Sequence, residues 1–247
     1  VYFGLGTPIQ ASVMPGSRYG SSEFLKSYIE YNPDRARKLL NNMNLKDTNG
    51  DGYREYPDGE SFKIILDHWD PTVTKHGELL VEYWDEIGIE TDFKRIDWSY
   101  NMQKRTTYKS QLMLSWNSGN TDLSFSKNPG RFAPTNNIWP GNESWYSYID
   151  WFSTNGEEGI EPPEKIKELH EVAIDFMSAT DEERKIKLGK KIMKNQAENI
   201  WVIGLVGLAP KPVVIDEDLR NVVKKGYWGS STNWYAPYYP IQMYFEK

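Results

Sequence analysis

The sequence predicts an α/β fold with a parallel sheet, and residues 62–116 provide the main evidence. Residues 62–69 and 89–96 are short segments rich in β-branched and aromatic side chains, which is typical of strands. Between them, Asp70-Pro71 starts a segment whose apolar residues recur every three or four positions until Gly88, which indicates a helix. Residues 98–108 predict another short helix. Strands alternating with helices in this way indicate βαβ units and a parallel sheet.

A third predicted strand, residues 111–116, ends in Trp116 and is followed by a polar loop. Residues 117–121 contain no apolar side chain. In open α/β sheets, ligands bind beyond the carboxyl ends of the strands. We therefore expect Trp116, Asn117, Asn120 and Asp122 to contact a ligand. The alternative interpretation is a core strand followed by an ordinary surface loop.

The remaining elements follow from caps and apolar spacing. Asn32-Pro33 predicts the start of a helix that ends near Met43. Helices are predicted from residue 161 and from Thr180, where Thr180 and Glu183 form a capping box. Residues 201–208 predict a buried strand, and residues 242–247 a final edge strand. We divide the chain into an extended lead-in and hinge (1–31), an α/β ligand-binding lobe (32–215) and a C-terminal tail (216–247).

The segment 47–58 matches much of a calcium-binding loop. Oxygen-bearing residues alternate along it and a glycine follows at position 52, as the sharp turn of such a loop requires. The ligands predicted by this spacing are Asp47, Asn49, Asp51, Tyr53 and Asp58. Glu55 would contribute a carboxylate or a water-mediated contact. The alternative interpretation is a turn rich in Gly and Asp that leads into a hairpin.

Aromatic residues are the unusual part of the composition. They make up 14% of the 247 residues, and ten of them are Trp. Many lie beside Ser, Asn, Gly and Pro, as Trp139 and Trp145 do, which suits partly hydrated surfaces. Stacking on sugar rings is one use of such indoles, and packing within loops is the other. On this clustering alone we add Trp139 and Trp145 to the candidate ligand-binding residues.

Charge and motifs exclude several function classes. A net charge of −6 argues against a nucleic-acid partner, because phosphate binding needs clustered Lys and Arg. The chain contains no Cys, which excludes disulfides and cysteine-bound metals. Its three histidines are scattered, and no nucleophile elbow or phosphate-binding loop is present. The sequence therefore favours binding over catalysis, and a glycosidase using two of its carboxylates is the minor alternative.

Six segments together resemble the bacterial extracellular solute-binding proteins of the oligopeptide/dipeptide transporter type, family 5. In chain order they are NPDRARKLL, LKDTNGDGYREYPDGE, FKIIL, SQLMLSW, ATDEERKIKLGKKIM and NIWVIGLVGLAPKPVVI. The resemblance implies a periplasmic-binding-protein-like (type II) lobe with a mixed, mostly parallel sheet flanked by helices. It also implies an extracytoplasmic, monomeric protein that is not an enzyme and that delivers its ligand to an ABC-transporter permease. Family members are longer, and this chain opens on VYFGLGTPIQ without an initiator Met, so we expect a C-terminal part.

The resemblance also bears on the ligand. In peptide-binding members, an Asp three residues after the strand-ending Trp pairs with the amino terminus of the peptide. Here that position is Gly119, so this anchor is missing. Oligosaccharide-binding members instead line the cleft with Trp and amide side chains. We therefore expect an oligosaccharide, β-linked, with an oligopeptide held by another anchor as the alternative. No cofactor is expected to be required apart from the predicted structural calcium.

Overall fold

The structure is a computed structural model that describes residues 2–116, 120–135, 145–226 and 240–246. The helices in chain order are α1 (Pro33–Asn42), α2 (Thr74–Asp85), α3 (Trp98–Thr106), α4 (Asp122–Lys127), α5 (Tyr146–Ser153), α6 (Glu164–Ser178) and α7 (Glu182–Asn199). The strands are β1 (Thr7–Pro8), β2 (Lys63–His68), β3 (Glu90–Arg95), β4 (Leu112–Met113), β5 (Val206–Gly207), β6 (Leu219–Arg220) and β7 (Tyr244–Phe245). This mixture of helices with a parallel sheet confirms the predicted fold class.

The chain packs as two units. Unit one contains residues 30–116, and unit two combines residues 2–29 with the described residues after 119. The sequence-based scheme, with boundaries after residues 31 and 215, is a different division because it followed composition rather than packing. Tyr19 and Phe24 of the predicted lead-in lie in the apolar core of unit two. No helix in the described parts of the chain is both long and apolar enough to cross a membrane.

The parallel sheet lies in unit one. β2 is its central strand, with β3 on one side and β4 on the other, and both neighbours run parallel to it. Lys63 is opposite Glu90 in the first pair, and Leu66 is opposite Leu112 in the second. β4 is shorter than the predicted strand at residues 111–116, because its pairing with β2 covers only two residues. The amide of Leu114 adds one hydrogen bond to the Asp67 carbonyl, at 2.8 Å.

Helix α2 covers this sheet. Leu80 and Trp84 of α2 pack with Leu66 and Phe93 in the core of unit one. Gly77 is the point of closest approach, because a Cβ added there would lie 2.0 Å from Cζ of Phe93. A side chain at this position would therefore displace the helix or the ring.

Helices α6 and α7 form the core of unit two, where Phe125, Phe176, Ile192 and Met193 are fully buried. The N-cap of α7 is Asp181 rather than the predicted Thr180. Oδ1 of Asp181 accepts a 2.7 Å hydrogen bond from the amide of Arg184. β6 pairs antiparallel with β7, the predicted edge strand.

The predicted buried strand at residues 201–208 is much shorter in the structure. Only Val206 and Gly207 form strand, paired antiparallel with Pro8 and Thr7. Several apolar side chains of the segment are exposed, Ile203 among them. A run of apolar residues is typical of a strand buried in the middle of a sheet, with a partner on each edge. Among the described residues this segment has one partner, the two-residue strand β1.

Candidate functional site

Three tryptophans follow the carboxyl ends of the three parallel strands of unit one. Trp69 comes directly after β2, Trp98 lies three residues after the end of β3, and Trp116 lies three residues after the end of β4. Carboxyl ends of parallel strands share one edge of the sheet, and that edge is where α/β folds bind ligands. We call Trp69, Trp98 and Trp116 the aromatic edge.

Two members of the aromatic edge are in direct contact. The ring centroids of Trp69 and Trp98 are 4.9 Å apart with an interplanar angle of 72°, an edge-to-face pair. The Arg105 guanidinium carbon lies 5.8 Å from the Trp98 ring centroid, within the range of a cation–π contact. Trp98 is nevertheless 46% exposed. Its neighbours therefore fix the ring while leaving much of its surface open to solvent.

Helix α3 positions Trp98 as its first residue. Asp97 caps the helix, its carboxylate accepting a 3.0 Å hydrogen bond from the amide of Tyr100. An ion pair between Lys104 and Asp67, with side chains 13% and 2% exposed, joins the helix to the end of β2. Asn101, three residues beyond Trp98, is fully buried, and neither atom of its amide has a hydrogen-bond partner among the described residues.

Trp116 is held differently, because it lies in irregular chain after β4. It is 37% exposed, and its indole is near enough to the carboxylate of Asp70 to help lower the pKa of that group. Asp70 is buried two residues beyond the end of β2, and its carboxylate also accepts a 2.8 Å hydrogen bond from the amide of Thr72. Thus the third indole lies near the chain that follows the central strand.

The carboxyl group of Asp70 is ionised despite its burial. Burial alone raises the pKa of Asp70. Hydrogen bonds from Thr72 and Trp116 and the nearby His68 lower this pKa by more than burial raises it, so the net pKa lies below its usual value. His68 is buried against Phe93, with ring centroids 4.8 Å apart and nearly parallel. Its Nδ1 lies 3.1 Å from the Asp70 carbonyl oxygen.

This arrangement is suited to binding flat, partly apolar groups. Exposed indole surfaces stack on such groups, and the neighbouring polar side chains can orient them. Trp98 takes its position from a capped helix, which holds side chains more rigidly than a loop does.

The other predicted ligand-binding residues are distributed differently. Asn117 and Trp139 lie outside the described residues. In unit two, the Asn120 carbonyl accepts a 2.9 Å hydrogen bond from the amide of Met14. Asp122, the first residue of α4, pairs with Nε of Arg18 at 2.9 Å. Both residues therefore anchor the N-terminal segment within unit two.

Trp145 corrects one prediction. It is 2% exposed and lies in the core of unit two, where its ring meets that of Trp201 at a centroid distance of 5.5 Å. An indole enclosed on both faces cannot stack on a ligand. Its aromatic neighbours in the sequence indicated packing rather than a surface.

The sequence-based search missed Trp69 and Trp98 as site residues. Both were present in the sequence at the ends of correctly predicted strands, and the distance of each from its strand end was the available signal. Aromatic clustering along the chain favoured Trp139 and Trp145 as candidate site residues instead.

The loop at residues 47–58 brings three carboxylates together. Oxygens of Asp47, Asp51 and Glu55 all lie within 4.8 Å of one another. Asp58 is not part of this group, and its carboxylate accepts a 3.1 Å hydrogen bond from the amide of Glu60. Glu55, the further carboxylate that the sequence offered, is buried, and the chain at this residue bridges to Lys46 and Ser61.

Comparisons with known proteins place these features in a family. The model of the bacterial extracellular solute-binding proteins, family 5 (middle), matches residues 1–145. The periplasmic alpha-galactoside-binding protein of Rhizobium meliloti (strain 1021) is 22% identical over 224 residues, covering 87% of this chain and 31% of that protein.

Solved structures share the fold of this chain. The oligopeptide-binding protein OppA is 27% identical, with a TM-score of 0.80 over 99% of this chain and 40% of that chain. The periplasmic binding protein MelB of Agrobacterium fabrum C58, solved in complex with stachyose, is 21% identical, with a TM-score of 0.63 over 81% of this chain and 30% of that chain. The chain thus spans less than half the length of each of these relatives. Because the family model matches more than half of the chain, the chain belongs to the bacterial extracellular solute-binding proteins of family 5.

Proposed function

We propose that this chain is part of a binding protein that captures an oligosaccharide outside the cytoplasm and delivers it to the permease of an ABC importer. The aromatic edge carries the proposal, since it presents two partly exposed indoles at the ligand-binding end of a parallel sheet. Trp116 and Trp98 would stack on sugar faces. Asn117, Asn120, Asp122 and Trp139 stay predicted contacts to hydroxyl groups or sugar faces, whereas Trp145 is not retained.

Two further observations support a sugar. Position 119 is glycine, so the chain lacks the carboxylate that the family resemblance associates with a peptide amino terminus. Two of the relatives are named for or solved with a sugar, an alpha-galactoside in one case and stachyose in the other. The predicted β-linkage has no counterpart in these two names, so both linkages belong in the test.

An oligopeptide is the second candidate, because OppA, named as an oligopeptide-binding protein, has a TM-score of 0.80 to this chain. We propose binding rather than catalysis in either case, since the family is one of solute-binding proteins.

Thermal unfolding of the full-length, ligand-free protein separates these candidates. Matched panels of α-linked oligosaccharides, β-linked oligosaccharides and short peptides would each be added at the same concentration. A ligand that binds only the folded protein raises the unfolding free energy by mass action, by about 2.7 kcal/mol at 100 times its Kd, and Tm rises with it. We expect shifts with oligosaccharides alone, and shifts with peptides alone would overturn the proposal.

We also propose a structural calcium ion at the loop of residues 47–58. The alternating oxygen ligands of the sequence and the proximity of Asp47, Asp51 and Glu55 support it. The side-chain nitrogen of Asn49 lies 3.0 Å from Asp51 Oδ2 and 3.2 Å from Glu55 Oε1, and a bound cation would turn the amide oxygen inward instead.

A further inference from the structure

Asn101 is a buried polar residue whose amide makes no bond within the fold. It lies on α3 and is fully buried. Among the residues that the structure describes, neither its Oδ1 nor its Nδ2 has a hydrogen-bond partner. Because both atoms are unpaired, exchanging the amide oxygen and nitrogen would leave this result unchanged. Buried amides bond to protein or to ordered water, and an unpaired one lowers stability. An apolar side chain of similar volume would therefore suit the fold better.

The position of Asn101 connects it to the aromatic edge. Residues three apart on a helix are neighbours on its surface, and helical side chains lean towards the N-terminal end of the helix. The Asn101 side chain is therefore directed towards Trp98, the first residue of α3. Trp98 is 46% exposed. The buried amide thus lies next to an open ring at the ligand-binding end of the sheet.

A second buried polar atom adjoins the same ring. Trp69 contacts Trp98 edge to face, with ring centroids 4.9 Å apart. Nε1 of Trp69 is buried and likewise has no hydrogen-bond partner in the described part of the chain. An indole N–H only donates, whereas the Asn101 amide both donates and accepts. A hydroxyl group, which also donates and accepts, matches this set of atoms.

We propose that the Asn101 amide and the indole N–H of Trp69 form a subsite of the aromatic edge that binds a hydroxyl group of the ligand. The inference rests on the proposed binding of an oligosaccharide, whose hydroxyl groups have this chemistry. Because the amide is fully buried, the ligand reaches it when the partly exposed ring of Trp98 moves aside. Water has the same donors and acceptors, so the tests must distinguish a sugar hydroxyl from a water molecule.

The first test needs no ligand and compares stability by urea unfolding of the full-length protein. Asn101→Leu removes both unpaired atoms at similar volume, so we expect the unfolding midpoint to stay the same or to rise. Gln103→Leu is the matched control, because Gln103 is an amide on the exposed face of α3, and we expect no change there. A lower midpoint in Asn101→Leu alone would show that the amide has a structural role and would overturn the inference.

The second test measures affinity by calorimetric titration, with stachyose as the probe. In Asn101→Leu, a sugar hydroxyl would be buried against an apolar side chain without a partner. We expect this variant to bind about ten- to a hundredfold more weakly, and Gln103→Leu to bind as the unsubstituted protein does. Equal affinities for Asn101→Leu and the unsubstituted protein would overturn the inference.

The third test uses the unsubstituted protein and so does not depend on the folding of a variant. The side-chain amide resonances of Asn101 and the indole N–H resonance of Trp69 would be assigned through the backbone in isotopically labelled protein. We expect saturating stachyose to shift both. The control is Trp201 in unit two, whose Nε1 already donates a 2.7 Å hydrogen bond to Asn195, and its resonance should not move. Unshifted Asn101 resonances in the complex would show that water alone uses this amide and would overturn the inference.

Failure of the proposed function gives a different pattern. If peptides bind and sugars do not, the sugar proposal is wrong, and the same resonances are then measured with the bound peptide. Unshifted resonances would overturn the subsite as well, whereas shifts would show that it receives a polar group of the peptide.

Discussion

Trp116 illustrates how one residue can be both anchored and available. Its indole is near enough to Asp70 to help lower the pKa of that carboxyl group, yet Trp116 remains 37% exposed. Trp98 reaches a similar state through an edge-to-face contact with Trp69 and a cation–π contact with Arg105. The neighbours of Trp98 thus hold its ring without covering it.

We expect Trp116→Ala to weaken oligosaccharide binding by about 1–3 kcal/mol, the typical loss for an aromatic anchor in a binding site. The measurement is a calorimetric titration of the full-length protein. Tyr83→Ala is the control, since Tyr83 is an exposed aromatic residue on α2, away from the carboxyl ends of the strands. Equal affinities for Trp116→Ala and the unsubstituted protein would remove Trp116 from the site.

His170 gives a pH-dependent prediction. Its ring stacks on Phe152 at a centroid distance of 3.7 Å, and burial lowers the pKa of His170 in the folded protein, with the Pro134 carbonyl and Glu171 opposing this effect only partly. The unfolded chain therefore binds the proton more tightly. The stability from the neutral ring is present above about pH 6.5, the unfolded pKa, and is lost as the pH falls towards the folded pKa.

Urea unfolding at about pH 7 and about pH 5 tests this, with His170→Gln as the comparison. We expect the unfolding free energy of the unsubstituted protein to fall more steeply between these two values than that of the variant. His76, whose pKa burial also lowers, is present in both proteins and cancels in the comparison. Identical slopes would contradict the assignment.

At residue scale, the sequence predicted the roles of residues that follow from their position at a strand end. It did not predict the roles that follow from packing against distant parts of the chain. Trp116 was predicted because it ends a strand. Trp145 was assigned wrongly, since sequence neighbours do not reveal that Trp201 and the core of unit two enclose it. The Trp69–Trp98 contact joins residues far apart in sequence, and no local pattern signals it.

Helix α3 is the element that carries Trp98, and a largely buried ion pair holds it to the sheet. Removing one partner of such a pair leaves an uncompensated charge. We expect Lys104→Met to lower the unfolding free energy by about 3–5 kcal/mol because Asp67 would be left unpaired. Urea unfolding measures the effect, and adding Asp67→Leu to Lys104→Met should recover part of the loss.

The matched control is Lys63→Met on the same sheet. Lys63 pairs with Glu90 at 2.7 Å, but the two side chains are 45% and 35% exposed. Exposed pairs contribute about 0–1 kcal/mol, so we expect little change. Similar losses of unfolding free energy in the two lysine variants would contradict the prediction that the buried pair contributes more than the exposed pair.

The loop at residues 47–58 gives the second prediction at this scale. We expect calcium, at about 100 times its Kd, to raise Tm by about 5 °C relative to the protein in chelator. Asp51→Asn should abolish most of this shift, because Asp51 belongs to the carboxylate group.

Asp58→Asn distinguishes the calcium ligands that the structure indicates from those that the sequence motif predicts. The motif makes Asp58 a ligand, whereas the structure bonds it to the amide of Glu60, so the calcium shift should persist in this variant. A Tm independent of calcium would remove the proposed ion altogether.

Elements were predictable where local signals were strong. The alternation of β2, α2 and β3 followed from apolar spacing, a cap and Gly88. Residues 201–208 were not predictable in the same way, because the length of β5 depends on the two residues of β1 that pair with it, about two hundred positions earlier in the chain. Strand pairing over such a separation leaves no periodic mark in the sequence.

At the scale of the whole molecule, the chain packs as two compact units and belongs to a family of solute-binding proteins. The family model covers residues 1–145, which include the sheet, the aromatic edge and the carboxylate loop. The chain spans 31% of the alpha-galactoside-binding relative and 40% of OppA. Binding measurements therefore belong on the full-length protein, where every segment that contributes to the ligand site is present.

Calorimetric titration of the full-length, ligand-free protein tests the central claim most directly. The titrants are stachyose, a β-linked oligosaccharide of similar length and a peptide of similar mass. The account predicts saturable binding of one oligosaccharide per protein, no heat of binding with the peptide, and weaker sugar binding in Trp116→Ala. Saturable binding of the peptide, together with no binding of either sugar, would contradict it.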